Sequence, residues 1–235
     1  MGNFAQSLRQ SDQALALYDP AVHRPLAMLF GQDARVTNLC QRSLALWFLG
    51  YPDVALAETN QFLKEARQIG QVGTLFFALN YASVMQFLCG AHATADALAN
   101  ELFTLAEEQG AVMWKAAGLA YRGWILAVAG MASEAVQLIT SALAAIRPTG
   151  TTLFTPVSLS LSAKCYADLG QADDAWRCID EAKAVIERTK ETWFEANVRR
   201  LAGEVALMSS QPDMAKAEAY FERALEVARQ QQVKS

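Results

Sequence analysis

Cys89 and His92 are the two residues whose types and spacing best suit a metal ion. A thiolate and an imidazole three residues apart are common zinc ligands, but a zinc site needs further ligands of the same kind. The only other histidine is His23, far away in the sequence, and no second Cys/His pair occurs. We therefore predict no metal site. A buried thiol that ends one helix and a histidine that begins the next explain the pair equally well.

A second possible chemistry is general acid–base catalysis by the carboxylates of Glu107-Glu108, Asp173-Asp174 and Glu181. Consecutive residues on a helix point in different directions, and helix faces need charges for solvation in any case. The motifs G-x-x-x-x-G-K-[ST], G-x-S-x-G, G-x-G-x-x-G and H-E-x-x-H are all missing. We predict a protein that is not an enzyme, with no catalytic residues, cofactor or metal. A hydrolase or transferase with an unfamiliar site stays open as an alternative.

The composition narrows the class of partner and the compartment. The 235 residues are 53% hydrophobic and carry a formal net charge of −4, which predicts an ordered protein and no nucleic-acid partner. The first ten residues lack the basic and apolar pattern of a signal peptide, so we expect none, and polar residues interrupt the longest uncharged stretch, residues 68–95, so we expect no membrane span. Four cysteines lie in apolar helical stretches and fit free thiols in a reducing, cytoplasmic protein: Cys40, Cys89, Cys165 and Cys178.

A ladder of glycines indicates the elements that would position any functional residue. Glycine occurs every twenty residues, at Gly50, Gly70, Gly90, Gly110, Gly130, Gly150 and Gly170. Two columns of mostly small residues have a period of forty: Ala55, Ala95, Ala135, Ala175, and Ser43, Ser83, Gly123, Ala163. Between the glycines, apolar residues recur every three or four positions, as in helices. A forty-residue, two-helix unit must bury its apolar face against its neighbours, so the pattern predicts an all-α solenoid.

The predicted organisation is a partial N-terminal repeat and connector over residues 1–33, followed by five helical hairpins over residues 34–235. Glycines and prolines mark the ends of the ten predicted helices of these hairpins. They are 34–49, 53–69, 73–89, 93–109, 112–129, 132–147, 156–169, 172–189, 192–208 and 213–231. In the fifth hairpin, Ser210 stands where a glycine is expected, and two inserted residues lengthen the turn at 211–213.

The small-residue columns resemble tetratricopeptide (TPR) repeats. The residues that carry the likeness are Gly123, Ala163, Gly203, Gly130, Gly170, Ala135, Ala175, Ile139, Ile179, Ala142 and Ala182. Helices cross closely only where facing residues lack bulk. The TPR period is about 34 residues, so a period of forty implies longer helices. The resemblance implies a right-handed α-solenoid of TPR-like hairpins.

A more specific likeness covers nearly the whole chain, through four segments: ALALYDPAVHRPLAMLFGQDARV, ALWFLGYPDVALA, YRGWILAVAG and AEAYFERALEVARQQQVKS. They resemble the C-terminal repeat region of bacterial multidomain proteins in which an adenylate or guanylate cyclase, or a transcriptional activator, precedes a signalling ATPase of the maltose-activator type. Catalysis in that family resides in the upstream modules, whose phosphate- and metal-binding sequences do not occur here. The resemblance implies a cytoplasmic bacterial signalling protein of which this chain is the scaffold or sensor part.

The repeat register places ten residues of the first helices along a concave inner surface. These candidate binding residues are Thr37, Cys40, Phe77, Asn80, Trp124, Ser160, Lys164, Asn197, Arg200 and Glu204. Trp124 follows the small Gly123, and the repeat register directs its side chain away from the hairpin seam towards the groove, although tryptophan side chains are more often packed in a core and both positions stay open. We expect the groove to bind a peptide or a partner domain. The alternative is a small effector, as the resemblance to maltose-type activators implies.

Residues 70–163 contain few charged side chains. A block this poor in charge is expected to expose apolar surface, which in soluble proteins often marks a partner site. We therefore expect a homo-oligomer formed through the middle repeats, or docking of a partner there.

Overall fold

A computed structural model describes residues 2–208 and 212–234 of the chain. The described residues form helices and turns without a β-strand. The helices are α1 (Phe4–Ala16), α2 (Pro20–His23), α3 (Ala27–Phe30), α4 (Ala34–Phe48), α5 (Pro52–Ile69), α6 (Val72–Leu88), α7 (His92–Glu108), α8 (Val112–Val128), α9 (Ala132–Ile146), α10 (Thr155–Asp168), α11 (Ala172–Thr189), α12 (Glu195–Met208) and α13 (Met214–Gln231). Two 3-10 turns, at Arg24–Leu26 and Arg147–Thr149, complete the pattern. The prediction of an all-α fold is confirmed.

The helix boundaries predicted from residue 34 onward agree with α4–α13 to within one residue, with one exception. Helix α12 begins at Glu195 rather than at residue 192 because the chain first makes a turn, in which Glu195 N donates to Thr192 O at 3.0 Å. The predicted insertion around Ser210 and Gln211 lies outside the described residues. The sequence boundary at residue 33 stays a prediction.

Helix α5 illustrates how local sequence defines these elements. Pro52 at the first position has no backbone N–H that would need an acceptor. The negative charge of Asp53 in the first turn interacts favourably with the positive end of the helix dipole. Gly70 ends the helix with φ of 69°, and its N–H donates to Ala66 O at 3.1 Å. The buried face has helical spacing: Ala55, Thr59, Phe62, Leu63 and Ala66. Burial of Phe62 alone contributes roughly 2–3 kcal/mol.

The glycine ladder adopts a left-handed backbone throughout. Its seven glycines have φ between 65° and 87°. A residue with a side chain adopts this conformation at a cost of roughly 1–2 kcal/mol, so glycine ends a helix in this way with the least strain. The next position of the ladder is Lys190, which adopts the same backbone with φ of 59° at the end of α11. The structure therefore extends the ladder by one step that the sequence pattern did not reveal.

The chain forms two compact units, each a stack of helical hairpins. The N-terminal unit contains residues 3–118 and 232–234, in which α1 packs on α4, α4 pairs with α5, and α6 pairs with α7. The C-terminal unit contains Gly2 and the described part of residues 119–231, in which α10 pairs with α11 and α12 with α13. First helices also pack on one another within a unit, α4 on α6 and α10 on α12. This is the hairpin packing of an α-solenoid.

The small-residue columns lie where helices approach most closely. Ser43, Ser83 and Ala163 are completely buried, as are Ala55, Ala95, Ala135 and Ala175. A Cβ atom built on Gly123 would lie 2.6 Å from Ile139 Cγ1, and one on Gly203 would lie 2.6 Å from the Phe221 ring. These distances are too short for a side chain. The interpretation of the columns as close-packing positions is confirmed.

Candidate functional site

The ten candidate binding residues lie on the first helices of the hairpins. In the N-terminal unit they belong to α4 and α6, and in the C-terminal unit to α8, α10 and α12. Helices α4, α6, α10 and α12 each pack against their own second helix, and α4–α6 and α10–α12 pack on one another. A helix covered on two sides keeps only a narrow exposed stripe. The residues that reach solvent are therefore fewer than the repeat register alone predicts.

Four of the ten residues are buried. Cys40 and Ser160 have no exposed surface, and Asn80 and Trp124 are 3% and 1% exposed. Ser160 Oγ donates to Val157 O at 2.8 Å, a bond within its own helix that removes its capacity to donate to a partner. These four side chains lie in the interior, so they do not line an open surface as the repeat register predicted. The physical reason is that neighbouring first helices cover more of each helix than the repeat phase indicates.

Trp124 is the clearest example of this correction. Its Nε1 donates to Ser158 Oγ at 3.0 Å, and its ring packs edge-on against Tyr121 and Phe154, with centroids 4.8 and 6.1 Å away. Phe154 also contacts Trp193, at 5.3 Å, and is held in a left-handed backbone with φ of 66°. Such a conformation is costly for a bulky residue and persists because the surrounding packing compensates for it. Trp124 thus helps to build an aromatic core in the C-terminal unit.

The other six candidates are half-buried or exposed, and four of them lie on the two packed helices α10 and α12. On α12, Arg200 donates to Asn197 Oδ1 through Nε at 3.2 Å and a terminal nitrogen at 2.7 Å, and it pairs with Glu204. On α10, Lys164 Nζ lies 2.8 and 2.9 Å from the two carboxylate oxygens of Asp168. We call this set the polar face: Lys164, Asp168, Asn197, Arg200 and Glu204. Asp168 was not among the predicted residues.

The polar face is charge-balanced, with two cations each matched to an acidic neighbour four residues away. Pairs at this spacing on an exposed helix contribute only about 0.3–0.5 kcal/mol, so breaking them costs little. A partner that carries a carboxylate opposite Arg200, or a cation opposite Glu204, could exchange one ion pair for another at low cost. Chemically, the face is suited to reversible polar recognition.

Thr37 and Phe77 are the remaining two candidates, in the N-terminal unit. Thr37 Oγ1 donates to Asp33 O at 2.9 Å, and the Phe77 ring lies 4.8 Å from that of Tyr81. Both are half-buried and take part in contacts within their own unit. Together these two side chains offer a partner fewer hydrogen-bonding and charged groups than the polar face does.

A buried carboxylate that the sequence did not single out lies at the start of α4. Asp33 is 1% exposed, and its side chain caps the helix by accepting from Val36 N at 3.0 Å. It also accepts from Tyr18 Oη at 2.6 Å, and its backbone N donates to Thr74 Oγ1 at 2.9 Å. Burial, together with the Asp33 carboxylate, raises the pKa of Tyr18. An aspartate directly before the helix that begins at Ala34 is a typical N-cap, and this was the sequence signal that could have identified Asp33. The hydrogen bonds of Asp33 join the N-terminal segment to α4 and α6.

All four cysteines are free thiols, as predicted. Burial raises the pKa of Cys40 well above its usual value and raises the pKa values of Cys165 and Cys178 to about 11. The pKa of half-buried Cys89 is also raised, mainly by burial. The thiolate is the reactive form of cysteine, so these environments disfavour nucleophilic chemistry. Within residues 2–208 and 212–234, no group of three or more His, Cys, Asp or Glu side chains could hold a metal ion.

Three of the five carboxylates that suggested acid–base chemistry take part in surface ion pairs. Glu107 pairs with Lys115, Asp174 with Arg177, and Glu181 with Arg147, each at 2.7 Å. Such pairs are the expected partners of a solvated helix face. Arg67 and Glu101 form another pair at 2.7 Å with the same 34-residue separation as Arg147 and Glu181, which follow eighty residues later. These ion pairs follow the repeat and indicate a structural role.

Depressions in the surface of the described residues are shallow or small. One of about 160 Å³ lies beside the turn before α12 and is lined by residues that include Lys183, Lys190, Thr192 and Arg199. Another, of about 310 Å³, lies between the N-terminal segment and α5, where Arg24, Met28 and Ile69 meet. Ligand pockets for drug-sized molecules usually enclose about 300–1,000 Å³. Over the described part of the chain, none of the helices is long and apolar enough to traverse a bilayer.

Comparison with solved structures identifies the fold. The chain is similar to the nearly identical TPR-like repeats of a kinesin light chain from Podosopora anserina, with 13% identity, 84% of this chain and 96% of that chain covered, and a TM-score of 0.52. A second structure of those repeats matches with 13% identity, 84% and 95% coverage, and a TM-score of 0.50. No family model and no curated protein matches the sequence. At this identity the similarity shows a TPR-like helical-repeat fold.

Proposed function

We propose that this chain is a non-catalytic interaction module that binds a peptide segment or a partner domain on the polar face of α10 and α12. The observation that carries the proposal is the hydrogen-bonded series Asn197–Arg200–Glu204 on α12, in which Arg200 is exposed, together with the Lys164–Asp168 pair on α10, the helix that packs on α12. TPR-like hairpins hold such a series in a fixed arrangement. A preformed surface loses little conformational entropy on binding.

The polar face can be tested with peptides that tile the proteome of the source organism, displayed on phage and selected against the chain. Selected sequences are then synthesised, and their affinities are measured by fluorescence polarisation. We expect Arg200→Ala to weaken binding by about tenfold, because the guanidinium is the planar, multidentate donor at the centre of the series. Lys164→Ala should weaken binding by about threefold, since an ammonium binds as a compact charge without the fixed planar geometry of a guanidinium.

Arg223→Ala is the matched control. Arg223 also forms a surface pair with a glutamate, Glu226, but lies on α13, the second helix of the hairpin that contains α12. The proposal predicts that this variant binds within about twofold of the unchanged chain. Equal losses for Arg200→Ala and Arg223→Ala, or no loss for either, would contradict recognition by the polar face.

The proposed biological setting is a bacterial signalling protein in which these repeats follow a cyclase, activator or ATPase module. The support is the resemblance of the four sequence segments, and the proposed role is to present a partner to the catalytic module. The genomic reading frame upstream of Met1 tests this setting directly. An open frame that encodes a cyclase or signalling ATPase is the expected result, and a stop codon directly upstream contradicts it.

Sensing of a small effector is the second candidate function, favoured by the depression of about 160 Å³ beside the turn before α12. Its lining combines three cations, Lys183, Lys190 and Arg199, with the carboxylates of Glu187 and Glu195, which suits a small charged molecule. A thermal-shift screen of charged metabolites separates the two functions. A ligand that binds only the native state at a hundred times its Kd stabilises it by about 2.7 kcal/mol and raises Tm.

A further inference from the structure

Residues 17–30 expose an unusual amount of apolar surface. We call this segment the apolar strap; it belongs to the N-terminal unit and includes α2 and α3. Six of its fourteen residues are large, exposed hydrophobics with exposed fractions from 38% to 80%: Leu17, Val22, Leu26, Met28, Leu29 and Phe30. Single exposed hydrophobics are normal on proteins, whereas a concentration of this kind marks an interaction surface.

The strap cannot bury its own hydrophobic side chains. Pro20 and Pro25 divide it into helical pieces of four, three and four residues, too short to present a continuous apolar stripe to a neighbouring helix. Within residues 17–30, all of which the structure describes, Ala27 is the one buried residue. The exposed side chains therefore remain available for another molecule.

The strap is nevertheless held in place at both ends. Tyr18 Oη donates to Asp33 Oδ2 at 2.6 Å, and the Tyr18 ring stacks on His23 with centroids 5.5 Å apart. At the other end, Gly31 O accepts from Gln71 Nε2 at 3.0 Å. A surface fixed in this way loses little entropy when it is covered, which favours binding.

The charges of the strap are satisfied within it or beside it. Its two formally charged residues are Asp19 and Arg24. Asp19 Oδ1 accepts from Ala21 N at 2.9 Å, and the Arg24 side chain hydrogen-bonds Tyr18. The exposed surface is thus neutral and apolar. Such a surface is complementary to its own copy, because a two-fold axis places the same patch on both sides without opposing like charges.

The exposed apolar area of the strap is also large enough for contact with a second copy. From their exposed fractions, the six hydrophobic residues present roughly 700 Å² in total, against about 800 Å² that each partner buries in an interface of standard size. The middle repeats, where the sequence predicted self-association, expose fewer large hydrophobics within residues 70–163: Val72, Val112, Val128 and Met131. The strap is therefore the better-supported interface.

We propose that the apolar strap is an isologous dimer interface whose occupant is a second copy of this chain. The proposal is independent of the polar face on α10 and α12. Sedimentation equilibrium of the 235-residue chain tests it. We expect a species of twice 25.6 kDa with a dissociation constant on the order of micromolar.

Met28→Glu should raise the dimer dissociation constant by about a hundredfold, because it places a charge in an apolar interface. Met214→Glu is the matched control, since Met214 is also an exposed methionine, 68% against 80% for Met28, but lies on α13. This variant should dimerise like the unchanged chain. Circular dichroism and Tm check that both variants fold.

A cross-linking experiment keeps the proposal testable if Met28→Glu fails to fold. Cysteine is placed singly at residues 26, 28, 29 and 30, and at least one of these variants should form a disulfide-linked dimer on mild oxidation, because the strap residues nearest the two-fold axis face their own copies and the native thiols are mostly buried. Met214→Cys should not. A chain that stays monomeric up to roughly 200 μM, or equal effects at positions 28 and 214, would overturn the proposal.

Discussion

Trp124 Nε1 donates a hydrogen bond of 3.0 Å to Ser158 Oγ, which connects α8 with α10 inside the C-terminal unit. Both residues are buried, at 1% and 3% exposure. A buried indole N–H needs an acceptor, and the serine hydroxyl provides one between two first helices. The tryptophan that sequence register directed towards a groove is instead part of the interior that holds successive hairpins together.

Ser158→Ala removes this acceptor from the buried Trp124 N–H. We expect the free energy of unfolding to fall by about 1–3 kcal/mol, measured by urea denaturation with tryptophan fluorescence. Ser160→Ala is the control: Ser160 is equally buried but donates to Val157 O in its own helix, and the change should cost less than about 1 kcal/mol. If the two variants lose equal stability, the interhelical bond has no special role.

Lys190→Gly should stabilise the protein. Lys190 ends α11 in the left-handed conformation that the seven ladder glycines adopt. Removing its Cβ relieves roughly 1–2 kcal/mol of strain, of which the greater entropy that glycine loses on folding offsets roughly 0.5–1 kcal/mol. The expected net gain is about 0.5–1 kcal/mol in chemical denaturation. Arg188→Gly, two residues earlier within the helix, should instead destabilise by about 1 kcal/mol, and a loss at both positions would refute the explanation.

Gly123→Ala should destabilise the C-terminal unit by about 1–3 kcal/mol. The added methyl would lie 2.6 Å from Ile139 Cγ1 and 3.2 Å from Ile139 N, and the backbone atom cannot move away cheaply. Differential scanning calorimetry measures the change. Ser83→Ala provides the comparison at the same repeat position, where a side chain is already accommodated, and should cost less than about 1 kcal/mol. Tolerance of Gly123→Ala would show that helix approach there is adjustable.

The thiols should differ in their reactivity. Cys89 is half-buried whereas the other three are buried, so we expect Cys89 to react with a thiol reagent first at about pH 8 and the others only on unfolding. Mass spectrometry of partly labelled protein identifies the modified site. Cys89→Ser should remove the fast phase, and fast labelling of Cys40 in the native protein would contradict the structure.

The raised thiol pKa values also predict a loss of stability at high pH. The folded state keeps Cys165 and Cys178 protonated up to about pH 11, while the unfolded state releases these protons near the usual thiol pKa of 9.0. Between these values the folded state binds more protons, so the free energy of unfolding decreases as pH rises. Urea denaturation at about pH 8 and about pH 10.5 measures the difference. A Cys165→Ala, Cys178→Ala double variant should show a smaller decrease, and an unchanged slope would contradict the contribution of these thiols.

Local physical chemistry made much of the fold predictable from the sequence. Helix periodicity, proline at helix starts and glycine at helix ends depend on a few neighbouring residues, so the predicted boundaries of α4–α13 are nearly correct. The columns at Ser43, Ser83, Gly123 and Ala163 mark helix contacts for the same reason, because close approach excludes bulk wherever it occurs.

The candidate site was only partly predictable. The repeat register placed Lys164, Asn197, Arg200 and Glu204 on first helices, and the structure leaves them at least partly exposed, whereas Cys40, Asn80, Trp124 and Ser160 are buried. Exposure depends on which other helices cover a given side of a helix. That is a property of packing between segments distant in sequence, so no local pattern contains it.

The amino-acid sequence by itself determined that the chain is helical, where its helices begin and end, and which positions must stay small. Only the tertiary structure decided that Trp124 faces an aromatic core, that Lys190 continues the glycine ladder, and that the apolar strap stays exposed. The physical reason is the range of the forces. Backbone conformation and capping are set within a turn or two of helix, while burial is set by neighbours about forty residues away along the chain.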